Sequence, residues 1–286
     1  MKPAHPSDPP PGWQVTEGRP MSPFAATGWA VGATLLWTLL VTITVTLRSG
    51  AENDLVNNFV CQLVATLGVV FGILRIHAPN DSIRDVFALR RTHLLFFPLA
   101  IGLGLAVQVP ASTLYEALLR RWPDPQDADR LSQLYSEAGT PGRVLIGMVV
   151  VAFGPLLEEI FYRGALFTPL RRAGRLGDVV VITAVLFGLA HVTAQRIVPI
   201  VLVGLAMGLL RHASGSLLPS IAMHATFNAW PMWELARGRT ASVENEPLPW
   251  ATAAMSVGVA LALAACTWLV GKRSTVAAHA RERDRR

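Results

Sequence analysis

Long apolar runs separated by short polar connections dominate the pattern of this sequence. A transmembrane helix needs about 20 predominantly apolar residues, and eight runs approach or reach that length. They lie at about residues 24–47, 55–74, 94–118, 144–167, 179–192, 197–210, 217–233 and 250–270. The pattern therefore predicts an all-α integral membrane fold with about eight transmembrane helices.

The polar stretches divide the chain into three predicted parts. Residues 1–23 are rich in proline and lack an apolar signal-peptide core, which predicts a disordered cytoplasmic tail. Residues 24–271 form the predicted polytopic membrane domain, and residues 272–286 form a basic cytoplasmic tail. The longest connection, residues 120–142, has mixed charges and apolar spacing that predict one or two amphipathic turns at the membrane surface.

Composition agrees with this class of protein. Hydrophobic residues make up 52% of the chain and charged residues only 15%, which is unlike a soluble domain. The net charge of +6 resides mainly in loops and tails, so it favours contact with lipid headgroups and argues against nucleic acid as a partner. Cys61 and Cys266 have no CxxC spacing and predict neither a disulfide framework nor a zinc cluster.

The distribution of basic residues predicts the orientation. With eight spans, both termini lie on one side, and the tails and loops of that side hold 16 Lys and Arg residues against 8 in the other loops. Cytoplasmic segments carry the excess of positive charge. We therefore expect cytoplasmic N- and C-termini in a multi-pass protein of a prokaryotic plasma membrane.

Two adjacent carboxylates and an arginine interrupt the fourth apolar run. Charges at this depth cost a few kcal/mol each, face the interior of the bundle, and usually mark function. Glu159 and Arg163 are four residues apart and share a helix face, so they can pair. Glu158 points about 100° away from Glu159 and is free for another partner.

Imidazoles and a carboxamide occur in two later runs. His191 ends the fifth run, whereas His224 and Asn228 share one face of the seventh. A buried carboxylate beside an imidazole can deprotonate a water, and a second imidazole with a carboxamide can stabilise an oxyanion. The set Glu158, His191 and His224 would also suit Zn²⁺ with an open position for water, and the residue types leave both alternatives open.

These residues form three motifs that resemble those of one known family. They are Glu158-Glu159-x-x-x-Arg163, Phe187-x-x-x-His191 and His224-x-x-x-Asn228, in this order on three predicted spans. The motifs resemble those of the CPBP family, which includes the CAAX prenyl endopeptidases of the Ras-converting type and the bacterial Abi proteins. The motif-bearing core covers residues 144–233. Three ordered motifs are specific, although each alone is weak.

The resemblance implies an intramembrane endopeptidase with an intramembrane catalytic cavity. It implies that Glu158 and His191 activate the attacking water, and that His224 and Asn228 form the oxyanion hole. A peptide or a membrane protein would be the substrate.

The resemblance also implies that Glu159, Arg163 and Phe187 support the site. It does not decide whether zinc takes part.

Other functions compete with this one. The charges in the fourth run are also typical of a structural ion network that fixes helix packing, with His224 and Asn228 as an interhelical hydrogen-bonding pair. The chain would then be a non-catalytic membrane scaffold or a bacteriocin-immunity factor that binds a partner through the motifs. A transporter that uses Glu158 and Glu159 as a proton relay is a third alternative.

Overall fold

Every regular element in the described part of the chain is helical. The computed structural model describes residues 18–51, 54–123, 125–238 and 250–283. The α-helices are α1 (Pro23–Leu47), α2 (Leu55–His77), α3 (Ile83–Val86), α4 (Phe96–Arg121), α5 (Pro125–Glu137), α6 (Thr140–Met148), α7 (Gly154–Glu159), α8 (Phe167–Ala173), α9 (Leu176–Leu189), α10 (Ala194–Ser214), α11 (Leu218–Ala236) and α12 (Trp250–Arg283).

Six helical segments are long and apolar enough to cross a membrane. They are Pro23–Leu47, Leu55–His77, Phe96–Arg121, Thr140–Ala173, Ala194–Ser214 and Ala251–Ser274. Their outer faces present large apolar side chains, such as Leu35, Phe71 and Leu261, which is the surface that lipid tails require.

The expected all-α integral membrane fold is therefore confirmed. The predicted fifth and seventh spans correspond to α9, with 14 residues, and α11, with 19. Neither is among the six segments, so the count of eight stays a prediction.

The hairpin between α1 and α2 is held by polar side chains at its tip. Asp54 caps α2, because its carboxylate accepts hydrogen bonds from the backbone N–H groups of Val56 and Asn57. The N–H of Asn57 and the side chain of Arg48 lower the pKa of Asp54. The Asn57 carboxamide donates to Thr44 Oγ1 at 2.9 Å, which joins the two helices directly.

Helix α10 lies at the centre of the bundle and packs against α4, α9, α11 and α12. Gly204 permits the contact with α9, because a Cβ atom there would lie only 3.0 Å from Ala184 Cα. A Cβ at Gly208 would likewise lie 2.9 Å from Val180. The two glycines, four residues apart on one face of α10, therefore permit close packing against α9.

The segment that carries the two glutamates is a long helix with two wide turns. Val149–Phe153 and Ile160–Leu166 are π-helical and flank α7 on both sides. In π geometry an N–H group bonds to the carbonyl five residues earlier, as Gly154 does with Val149. Pro155 has no N–H, so the Val150 carbonyl lacks its main-chain donor. Asn228 Nδ2 donates to this carbonyl at 2.9 Å.

Three further features differ from the expectations. Met21 is fully buried and its N–H donates to Pro169 O at 3.0 Å, so the packed chain begins upstream of residue 24. Residues 1–17 of the predicted disordered tail lie outside the described residues. The connection at 120–142 contains α5, a helix of 13 residues, where one or two turns were expected. Helix α12 continues to Arg283, into the predicted basic tail.

Arg211 also differs from the prediction. The orientation count places it in a polar loop, but it lies in the last turn of α10 with no exposed surface. Its Nε donates to Arg163 O at 2.9 Å, and its guanidinium lies over the Phe167 ring. The excess of basic residues on the predicted cytoplasmic side persists without Arg211, so the orientation stays a prediction.

Candidate active site

Glu158 and His191 line the same internal cavity, which has a volume of about 410 Å³. Tyr162 and Phe187 line it beside them, from the second π segment and from α9. Helices α1 and α2 contribute further lining residues. The carboxylate and the imidazole that the motifs single out therefore share one space with room for a peptide segment.

Helix α9 is shorter than the hydrocarbon core of a bilayer, and His191 follows its end. Fourteen residues span about 21 Å, less than the roughly 30 Å of the hydrocarbon core. The helix ends at Leu189, and His191 lies just beyond it. The next residue, Val192, has a φ of +61°, a left-handed conformation that is strained for a β-branched side chain and reverses the chain into α10.

A backbone hydrogen bond orients the His191 ring. Its Nδ1 lies 2.9 Å from the carbonyl oxygen of Phe187, so Nδ1 carries the hydrogen and donates it. The neutral ring then has its lone pair on Nε2. This is the tautomer in which His191 can accept a proton in the cavity.

Glu158 and Glu159 face different partners, as their helical spacing predicts. The Glu158 side chain is 23% exposed, and its Oε2 lies 3.6 Å from His224 Nε2. Glu159 is fully buried, and its Oε1 lies 3.3 Å from Nδ1 of the same imidazole. His224 thus lies between the two carboxylates and connects the cavity to the interior of the bundle.

Glu159 belongs to a buried ion network. Its Oε1 accepts a hydrogen bond from Arg163 Nη1 at 2.9 Å, and both side chains are fully buried. Its Oε2 accepts from the Ser220 hydroxyl, and Arg163 Nη2 donates to Gly204 O at 3.0 Å. The pairing of Glu159 with Arg163 expected from their spacing is present, and it ties the motif helix to α10 and α11.

Ser220 was not among the site residues predicted from the sequence. A signal was available, because Ser220 and His224 are four residues apart and share a helix face with Asn228. Gly204 was assigned only to helix packing, but its carbonyl also accepts from Arg163.

Phe187 is the apolar centre of the site. The Arg163 guanidinium lies 4.6 Å from the centroid of its ring. The rings of His191 and His224 make edge contacts with it at 5.0 Å and 5.5 Å between centroids. Phe187 therefore contacts a residue from each of the three motifs and fixes the spacing between the two imidazole rings.

Asn228 lies apart from the other candidate residues. It is not among the residues that line the cavity. One N–H of its carboxamide donates a hydrogen bond to Val150 O. Its second N–H hydrogen is available for another acceptor. The side chain therefore also has a structural role, since it satisfies the carbonyl that Pro155 leaves free.

The donor set does not converge as a zinc site. Three protein ligands at about 2.0–2.2 Å from one ion must point to a common centre. In the described part of the chain, no three His, Cys, Asp or Glu side chains do so. Glu158, His191 and His224 therefore fit the water-activating alternative better than the zinc alternative.

These features define a class of protein: a multi-pass, all-α membrane protein with a carboxylate–imidazole site buried among its helices. Residues 140–230 match the family model described as Type II CAAX prenyl endopeptidase Rce1-like. The match covers about a third of the chain and confirms the resemblance to the CPBP/CAAX protease family read from the three motifs. The comparisons with curated proteins and with solved structures gave no match.

Proposed function

We propose that this protein is an intramembrane endopeptidase in which Glu158 and His191 activate the water that attacks a peptide bond. One observation carries the proposal: the two side chains line one cavity within the part of the chain that matches an endopeptidase family. The family implies a protease with a peptide or protein substrate in the membrane. The assignment of individual residues is our own.

The reaction begins with a water held between Glu158 and His191. As the water oxygen attacks the carbonyl carbon of the scissile bond, its proton passes to the Glu158 carboxylate, while the lone pair on His191 Nε2 orients the water. The carbonyl becomes a tetrahedral oxyanion. When the C–N bond breaks, the proton on Glu158 passes to the leaving amine, and Glu158 returns to its starting state.

The oxyanion needs donors that are in place before the reaction. His224 can supply one donor as an imidazolium: Nδ1 donates to Glu159, and Nε2, which lies beside Glu158, carries a second hydrogen that can stabilise the negative charge of the intermediate. Asn228 supplies its second N–H. Glu159 holds Nδ1 of His224, and Arg163 holds Glu159. The buried network thus acts by fixing the direction of the His224 ring.

The first test is peptide cleavage by the purified protein in detergent, with and without a metal chelator. The substrates are a farnesylated peptide that ends in Cys-aliphatic-aliphatic-X, its unfarnesylated counterpart, and a random-sequence decapeptide library. We expect cleavage of at least one substrate, with a rate that chelation leaves within about twofold, since the catalytic step uses protein side chains and water.

Two results would contradict this proposal in different ways. Stoichiometric zinc that is lost together with activity, and restored by adding the metal back, would recast Glu158, His191 and His224 as ligands. Cleavage of none of the three substrates would favour the non-catalytic scaffold or immunity factor that binds a partner through the same motifs.

A further inference from the structure

The part of the cavity lining that α1 and α2 supply is largely polar, although both helices are apolar enough to span a membrane. Helix α1 contributes Thr34 and Trp37, and α2 contributes Gln62 and Thr66. This part of the lining lies outside residues 140–230, which match the family model. Polar side chains in the middle of apolar helices are costly unless they find partners, so their partners are informative.

Gln62 has no hydrogen-bond partner among the described residues, although another carboxamide of the same helix uses its NH₂ group within the protein. Asn57, five residues earlier, donates to Thr44 Oγ1 at 2.9 Å and to Ala51 O at 3.3 Å. Gln62 instead lines the cavity. A carboxamide can donate and accept at once, so Gln62 is suited to bind a ligand amide that does the same.

On α1, Trp37 likewise lacks a partner, whereas another tryptophan of the same helix is hydrogen-bonded within the protein. The indole N–H of Trp29, two turns earlier, donates to His77 Nε2 at 3.4 Å. The indole nitrogen of Trp37 is buried and has no partner within the described ranges. Buried polar groups in proteins are nearly always satisfied, so an unsatisfied donor on a side chain that lines the cavity is a candidate partner for a ligand.

The spacing of these groups suits an extended peptide. Gln62 and Thr66 are four residues apart on one face of α2, which separates them by about 6 Å along the helix axis. Alternate residues of an extended peptide, whose backbone groups point to the same side, are about 6.6 Å apart. A peptide that lies along α2 can therefore meet both side chains with its main chain, in the cavity that Glu158 and His191 also line.

We propose that Gln62, Thr66 and Trp37 form a backbone clamp, which binds the main chain of an extended peptide and holds the scissile bond against Glu158 and His191. The clamp rests on the proposed endopeptidase function. It names the substrate class further, because only an unfolded or locally unwound segment exposes free backbone N–H and C=O groups to such side chains. A helical segment uses these groups within itself.

The test compares Gln62→Leu, which keeps the shape of the side chain, with the wild-type protein on the peptide that is cleaved. We expect KM to rise about tenfold, the effect of losing hydrogen bonds to an uncharged amide, while kcat stays within about threefold. Trp37→Phe keeps an aromatic ring without the N–H donor and should raise KM in the same direction.

Matched controls separate binding from folding. Asn57→Ala removes the amide that is bonded within the protein, and Trp29→Phe removes the indole N–H that is bonded to His77. Both should lower the thermal unfolding temperature in detergent and leave KM unchanged. A wild-type KM in Gln62→Leu, or an equal rise in KM in Asn57→Ala, would overturn the clamp.

A binding measurement distinguishes failure of the clamp from failure of the proposed function. Fluorescence anisotropy follows binding of the farnesylated peptide, its unfarnesylated counterpart and the decapeptide library to Glu158→Gln, with and without Gln62→Leu. Weaker binding in the double variant supports the clamp even if the wild-type protein cleaves nothing. Equal binding in both, or no binding of any of the three probes, overturns the clamp even if cleavage is observed.

Discussion

Replacing Glu158 with Gln is expected to lower kcat for peptide cleavage by about 10³-fold, within the range that a general base contributes. The carboxamide has the same shape but cannot accept the proton of the attacking water. Glu158 is partly exposed to the cavity and lies outside the contact between Glu159 and Arg163, so the variant should fold and insert normally. The measurement is the initial cleavage rate at saturating peptide, with the unfolding temperature as a check on folding.

A second carboxylate provides the control for Glu158→Gln. Glu116 lies on α4 and does not line the cavity, so Glu116→Gln should cleave at the wild-type rate. Full activity in Glu158→Gln would refute the assigned role. Loss of a biological function in a Glu158 variant that still binds its partner would count against the scaffold alternative.

Replacing Arg163 with Ala should give the largest loss of stability. The Glu159 carboxylate would remain buried without its cation, and breaking a buried ion pair in this way costs about 3–5 kcal/mol. The Gly204 carbonyl would also lose its donor. We expect a large fall in the unfolding temperature in detergent, together with reduced yield of monodisperse protein.

Two further variants make the Arg163 prediction specific. Arg175→Ala removes an exposed arginine and should change stability by no more than about 0.5 kcal/mol. The double variant Glu159→Leu/Arg163→Met leaves no unpaired charge, so it should be more stable than Arg163→Ala. An unfolding temperature of Arg163→Ala equal to that of the wild-type protein would contradict a stabilising role for the buried pair.

Helices and their local pairings were the predictable part of this structure. The apolar runs located the membrane helices to within a few residues, as for α4, which was expected at 94–118 and spans Phe96–Arg121. The i, i+4 spacing identified the contact of Glu159 with Arg163, because residues four apart meet on any helix.

The π-helical turns on both sides of α7 could not be predicted from a helical wheel, because a helical wheel assumes 3.6 residues per turn throughout. Pro155 and its neighbouring glycine predicted a disturbance of the helix. They did not reveal that the Val150 carbonyl would take its donor from Asn228 on another helix. This contact depends on tertiary packing, and it gives Asn228 a structural role in addition to the catalytic role that the motif implies.

The burial of individual polar side chains also could not be predicted from the sequence. Arg211 stands at the end of an apolar run, where an arginine usually extends to the membrane surface, yet it is fully buried against the carbonyl of Arg163. Gln62 is one of three side-chain amides in its span, with Asn57 and Asn58. The proposed role of Gln62 in substrate binding depends on the fold, which places it in the same cavity lining as Glu158 and His191.

The most direct test of the central claim is a single-turnover cleavage reaction in oxygen-18 water, with mass spectrometry of the product. If Glu158 and His191 activate a water, the new carboxyl group of the product acquires one solvent oxygen in the first turnover. If Glu158 instead attacks the peptide as a nucleophile, expels the amine and forms a mixed anhydride that water opens at the glutamate carbonyl, the first product is unlabelled and the label appears in Glu158. That second result, or the absence of any cleaved product, would contradict the account.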